Sequence, residues 1–219
     1  YRNLHWKDSS NDMEETKNVL ITGAAQGIGA GIAWAYGQAG YHVIAADLEG
    51  SRLQATVRGL VAEGFDVSDA FVDVTDVDTL SRQIEEIDQD KPLSTVVANA
   101  GVGLEKAFAL VTETEFDRIF SVNVKGTYFT MQAAFRCMVN RGSGSIIAIA
   151  STSSFAASTG QMSIYDSSKG AVRSLVGAVA KEVASTGIRV NAIAPGTIAT
   201  QLTRRLATDT QLQHLALSK

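Results

Sequence analysis

Asn18-Val19-Leu20-Ile21-Thr22-Gly23-Ala24-Ala25-Gln26-Gly27-Ile28-Gly29 is the stretch on which the reading of this chain turns. Its first five residues make a short apolar run of strand length, and glycines follow at once with the spacing G-x-x-x-G-x-G. Beyond them, through Gly40, the residues are rich in Ala and apolar at helical spacing. Strand, glycine turn and helix in that order bring free backbone N–H groups and the positive end of a helix dipole to one point. Glycines at such a turn let a pyrophosphate approach the main chain, so the stretch predicts a dinucleotide site.

The next apolar run, residues 42–46, reads as a second buried strand and ends in Asp47. An acidic residue about twenty positions past the glycine turn is where adenosine ribose hydroxyls are bound. A carboxylate there repels a 2′-phosphate, the glycine turn has no Lys or Arg, and Leu48 follows Asp47. NAD is therefore expected rather than NADP. Asp47 could also serve as the N-cap of a helix beginning near Glu49, a role compatible with ribose binding.

Strand and helix patterns then alternate. Residues 51–63 read as a helix, 70–72 as a third strand ending at Asp73-Val74-Thr75-Asp76, and 77–87 as a helix. Residues 94–98 form a fourth strand that leads into Asn99-Ala100-Gly101. One long helix is expected over 113–140, with Asn123 and Gly126 as a weak spot where the helix can bend. A fifth strand covers 144–150 and ends in Ser151-Thr152-Ser153-Ser154. A helix over 163–185, a sixth strand over 188–194 and an amphipathic segment over 200–217 complete the chain. This alternation demands an α/β fold, a doubly wound parallel sheet with helices on both faces. The polar and glycine clusters all fall at the carboxyl ends of strands, where such sheets bind ligands. Residues 18–219 are taken as one domain and 1–17 as an extension.

Composition agrees. With 219 residues, 45% hydrophobic and 19% charged, the chain can bury a sizeable core. A net charge of −4 gives no reason to expect nucleic acid or an anionic membrane as a partner. The single cysteine, Cys137, excludes an internal disulfide framework and reads as a buried, inert thiol. No apolar stretch is long enough to span a bilayer and no signal-peptide core precedes the domain, so a soluble, cytoplasmic protein is expected. His42 and His214 have no ligand-like company, and no metal site is expected.

Tyr165-Asp166-Ser167-Ser168-Lys169 carries the chemistry. Residues four apart on a helix share a face, one turn apart. Lys169 is then placed beside the Tyr165 phenol, and a nearby ammonium favours the phenolate. A phenol tuned in this way is a general acid or base near neutral pH.

Taken together, residues 18–200 resemble the short-chain dehydrogenase/reductase family. The resemblance implies cofactor contacts at Gly23, Gln26, Gly27, Ile28 and Gly29, and at Asp73 and Val74 beside the adenine. It also implies contacts at Asn99, Ala100 and Gly101, and at Pro195, Gly196, Ile198 and Thr200 near the nicotinamide end. Asn123, Ser151, Tyr165 and Lys169 resemble the family's catalytic tetrad. In that likeness Ser151 holds the substrate oxygen, Tyr165 exchanges its proton, Lys169 lowers the tyrosine pKa and binds ribose hydroxyls, and Asn123 holds a water in a proton relay.

Two departures accompany the match. The family serine usually stands thirteen residues before the tyrosine, which here is Thr152; the strand pattern instead favours Ser151, with a one-residue insertion between Gln161 and Tyr165. Thr152 and Ser153 are the alternatives. The family also continues past the amphipathic segment, a substrate lid, into a helix and a seventh strand that are absent here. Either the sequence is cut short or the sheet ends with one strand fewer; a homo-oligomer, dimer or tetramer, is expected, and its usual interface is in question. The activity implied is NAD-dependent hydride transfer to or from a small-molecule secondary alcohol or ketone. The alternatives are a cofactor-retaining epimerase or dehydratase, and a non-catalytic NAD-binding scaffold.

Overall fold

Val19, Leu20 and Ile21 are fully buried, which only a strand covered on both faces permits. They lie in β1 (Asn18–Thr22), the centre of the sheet in a computed structural model that describes residues 17–200. The N-terminal extension before Lys17 and the lid segment after Thr200 lie outside the described residues, as do His5, Trp6 and His214.

Five further strands join β1: β2 (His42–Asp47), β3 (Val67–Phe71), β4 (Leu93–Ala98), β5 (Gly144–Ile149) and β6 (Ile188–Ile193). All neighbours are parallel, in the order β3-β2-β1-β4-β5-β6. The order reverses beside β1, between β1 and β4, and that is the switch point at which open sheets of this kind bind ligands.

Alternation along each strand divides the core in two. Val19 and Ile21 face Ala33 of α1 (Gly27–Gln38) and Leu53, Val57 and Leu60 of α2 (Leu53–Ala62). Leu20 faces the other way, with Leu80 and Ile84 of α3 (Val77–Asp90). Below, the helix expected over 113–140 proves to be two: α4 (Glu113–Phe120) and α5 (Thr127–Val139). The last helix among the described residues, α6 (Ser163–Glu182), contributes Val172 and Val176 to the same core as Leu20, and α5 contributes Met131 and Met138.

The break between α4 and α5 is a π-helical turn, Ser121–Gly126. Gly126 permits it: a Cβ there would sit 2.7 Å from the Val74 side chain. The expected weak spot is therefore real, but it takes the form of one wide turn rather than an exposed bend, because the Asn123 carbonyl accepts the Thr127 hydroxyl at 2.8 Å.

Strand and helix ends differ from expectation by a few residues. α2 begins at Leu53, too far along for Asp47 to cap it, so the N-cap reading of Asp47 is wrong. β3 starts at Val67 rather than Ala70; it is an edge strand, half-buried and polar, so hydropathy understated it.

Candidate active site

The glycine turn is held by contacts that leave no room for side chains. Gly23 has φ +69° and Gly27 φ +59°, both in the left-handed region that favours glycine. A Cβ on Gly29 would fall 2.1 Å from the Gly23 carbonyl oxygen. Asn99, at the end of β4, fastens the turn from the opposite side: its Nδ2 donates to the Thr22 and Gly23 carbonyls at 2.9 and 3.0 Å. Thr22 returns the contact, its hydroxyl accepting the N–H groups of Asn99 and Ala100.

Asp47 completes the turn. One carboxylate oxygen accepts the Ala25 N–H at 2.9 Å and the other the Leu48 N–H at 2.8 Å. Thr56 donates to the Ala25 carbonyl at 2.6 Å, so β2 and α2 together clamp the loop. No side chain caps α1, whose N-cap is Gln26. Its first-turn N–H groups face a cleft over the sheet, a donor set that suits a pyrophosphate. Asp47, beside the turn on that cleft, suits ribose hydroxyls, which donate to carboxylate lone pairs. The residues present thus fit a dinucleotide.

Every cofactor residue read from the sequence lines this one cleft: Gly23, Gln26, Gly27, Ile28, Gly29, Asp47, Asp73, Val74, Asn99, Ala100, Gly101, Pro195, Gly196, Ile198 and Thr200. Ser151, Tyr165 and Lys169 line it as well. Asn123 does not, although it touches what does. It is fully buried, its Oδ1 accepts the Val102 N–H at 2.8 Å, and its Nδ2 donates to the Val102 carbonyl and the Ser168 hydroxyl. The side chain of Asn123, the residue that the family likeness gives a water relay, ties the loop after β4 to α6. Leu48 also lines the cleft, as do Val72, Val102, Val122, Ile149 and Ala150, apolar residues for which no motif gave a site role.

At the end of β5, Ser151 adopts an extended backbone before a short 3-10 turn, Thr152–Ser154. Ser151 lines the cleft together with Tyr165, whereas Thr152 is exposed and absent from the cleft lining.

Lys169 is buried, 4% exposed, and its Nζ donates to the Ile149 carbonyl at 2.7 Å. The ammonium lies 5.9 Å from the centre of the Tyr165 ring. Burial pushes its pKa down to about 8. Tyr165 moves opposite to expectation. Burial raises the phenol above its ordinary value, the nearby Asp166 carboxylate adds to that, and only the Ser151 hydroxyl pulls it down. Within the protein, desolvation outweighs the neighbouring ammonium, because the Lys169 charge is turned toward a carbonyl instead of the phenolic oxygen.

Two other sequence readings are now placed. Cys137, on α5, is half-buried, and burial first, then the Asp88 and Glu85 carboxylates, pushes its thiol up to about 11. Such a thiol is inert at neutral pH. His42 is not merely packed: buried at the start of β2, it meets Asp66, Ser68 and Lys91 at 2.8–3.0 Å. No group of His, Cys, Asp and Glu among the described residues could hold a metal.

The family model described as "short chain dehydrogenase" matches residues 17–211. The chain belongs to that family. The enzyme is 36% identical over 196 residues to 5-keto-D-gluconate 5-reductase of Escherichia coli K12, covering 88% of this chain and 76% of that one. It is 34% identical over 206 residues to the 3-oxoacyl-[acyl-carrier-protein] reductase FabG of Staphylococcus aureus, covering 93% and 83%. Among solved structures, it resembles a gluconate 5-dehydrogenase-like protein of Beutenbergia cavernae with bound NADP. That match has a TM-score of 0.84 and 29% identity, covering 90% of this chain and 78% of the other. This short-chain dehydrogenase is thus an oxidoreductase that moves hydride between a nicotinamide nucleotide and an alcohol or ketone. No helix among its described residues is long and apolar enough to cross a membrane.

Proposed function

We propose that the enzyme uses NAD in preference to NADP to interconvert a secondary alcohol and its ketone. The observation that carries the reading is the single cleft: the glycine turn and Asp47 lie at one end, and Ser151, Tyr165 and Lys169 converge at the other. Asp47 supports NAD, because its carboxylate lies where a 2′-phosphate would bring a second negative charge. Neither the turn nor position 48 supplies a cation to offset it.

When bound, the nicotinamide nucleotide supplies the hydride chemistry. Ser151 would hold the substrate oxygen by hydrogen bond. Tyr165 would exchange a proton with that oxygen; as a phenol kept neutral by burial, it is ready to donate to a ketone. Lys169 would hold the ribose hydroxyls beside Tyr165. Asn123 acts through the loop it pins to α6. A sugar acid such as gluconate is the first substrate to try, on the strength of the relatives.

The test is absorbance at the NADH band with D-gluconate, 5-keto-D-gluconate and simple secondary alcohols. NAD-linked turnover is expected, with a net change in cofactor oxidation state; no change with any of them overturns the reading. The chain is also read as a homo-oligomer, supported by the exposed Phe116 and Tyr128 on α4 and α5. Light scattering should give a mass at least twice the chain's 23.2 kDa.

A further inference from the structure

Ser151, the hydroxyl that the dehydrogenase reading gives to the substrate oxygen, already has its one proton engaged elsewhere. Its Oγ donates to Ser153 Oγ at 3.0 Å and accepts the Ser153 N–H at 3.1 Å. Ser153 belongs to a longer line of contacts along the loop over residues 151–162. Ser153 Oγ lies 3.0 Å from Ser158 Oγ, and Ser158 Oγ donates to Asp166 Oδ1 at 2.7 Å. The Ser158 N–H donates to the other carboxylate oxygen at 2.8 Å, which holds the loop to the first turn of α6.

The far end decides which way these hydroxyls point. A carboxylate accepts and has no proton to give, so the Ser158 proton goes to Asp166. Ser158 can then only accept from Ser153, and Ser153, its own proton committed, can only accept from Ser151. The Ser151 proton is thereby directed to Ser153, which does not line the cleft. A substrate needs the opposite. A ketone oxygen only accepts, and an alcohol oxygen whose proton goes to Tyr165 also needs a donor on its other side. Ser151 must therefore turn its proton away from Ser153 before it can hold either form.

We infer that Ser153 sets the substrate affinity of this enzyme by competing with the substrate oxygen for the Ser151 proton, while Ser158 and Asp166 fix the direction of that competition. The inference rests on the dehydrogenase reading above. Ser153, Ser158 and Asp166 are positioning residues: they touch no substrate and act through Ser151. The Ser153 N–H belongs to the backbone, so it keeps Ser151 Oγ in place whichever way the proton turns. Only the orientation of one hydroxyl changes between the resting and the substrate-holding state, and the cost of that change is the hydrogen bond to Ser153.

The experiment measures KM and kcat of the full chain in both directions, with NAD and D-gluconate or cyclohexanol, and with NADH and 5-keto-D-gluconate or cyclohexanone. Ser153→Ala keeps the backbone N–H and removes the competing acceptor. Its KM for alcohol and ketone should fall by about three- to tenfold, the worth of one neutral hydrogen bond. Turnover and NAD affinity should not change, because ground state and transition state gain alike. Ser158→Ala should give the same fall by another route: Ser153 then donates to Ser151 and frees its proton for the cleft. Ser153→Thr keeps the hydroxyl and should keep the wild-type KM. Damage to the loop would raise KM, so a lowered KM is not imitated by poor folding. An unchanged or raised KM in either Ala variant overturns the inference, and so does an equal fall in Ser153→Thr. A wild-type enzyme silent with every substrate overturns the dehydrogenase reading itself, whereas an active wild type with unresponsive Ala variants overturns the competition alone.

Discussion

Tyr165 and Lys169 share a helix face, yet each is shifted toward its neutral form, and burial is the first cause of both shifts. The consequence for activity is direct. Tyr165→Phe removes the exchangeable proton and little else, so kcat should fall by at least about 100-fold while NAD binding is retained. Stopped-flow turnover alongside calorimetric NAD titration checks this, and near-normal turnover in the Phe variant would end the assignment. Lys169 has a second consequence, for stability. Its pKa in the folded chain, about 8, lies below that of a solvated lysine, so between those values the unfolded chain binds more protons. Stability carried by this residue therefore rises as pH climbs from about 8 toward 10. Lys169→Met lacks that rise. Urea unfolding across this range should show wild type gaining on the variant by up to about 3 kcal/mol. Parallel pH curves for the two proteins would show that the ammonium is not desolvated.

At the scale of elements, the glycine turn and the π turn are the two irregular pieces on which the cleft depends. Gly29→Ala drives a methyl group against the Gly23 carbonyl oxygen and the Asn99 amide, 2.1 and 2.6 Å from the ideal Cβ. Backbone must move, so a loss of about 3 kcal/mol is expected together with weakened NAD binding. Chemical denaturation of the variant reads the first effect and cofactor titration the second; retention of both would mean the turn is looser than its contacts indicate. The turn was legible because strand, glycine spacing and helix each leave a separate mark in the sequence. Its clamp was not. Asp47 reads as a ribose ligand that could also cap a helix, and only the start of α2 at Leu53 removes the second role. Asn123 shows the same limit. Its poor helix propensity marked an irregular spot, but the partners Val102 and Ser168, 21 and 45 residues away, depend on how the sheet stacks α5 and α6. Tyr165 lines the cleft, but the direction of its tuning was misjudged, because spacing gives the nearness of Lys169 and says nothing of where its Nζ points.

For the whole molecule, the sheet order brings residues from six strand ends and the start of α1 and α6 to one cleft, so a ligand there should brace the entire fold. That coupling can be read without a substrate. A ligand that binds only the folded chain adds about 2.7 kcal/mol at one hundred times its dissociation constant. In a domain of this size each kcal/mol moves Tm by about 2–4 °C, so saturating NAD should raise Tm by about 5–11 °C. NADP at equal concentration should raise it much less, because its 2′-phosphate meets the Asp47 carboxylate. The contrast belongs to that carboxylate if Asp47→Asn narrows the gap between the two nucleotides. The asparagine keeps an oxygen to accept one of the two N–H groups that Asp47 now holds, those of Ala25 and Leu48, while the charge is gone. Equal shifts for NAD and NADP in wild type, measured by scanning calorimetry, would overturn the cofactor preference without touching the fold or the Tyr165 chemistry, since neither depends on what occupies the ribose end of the cleft.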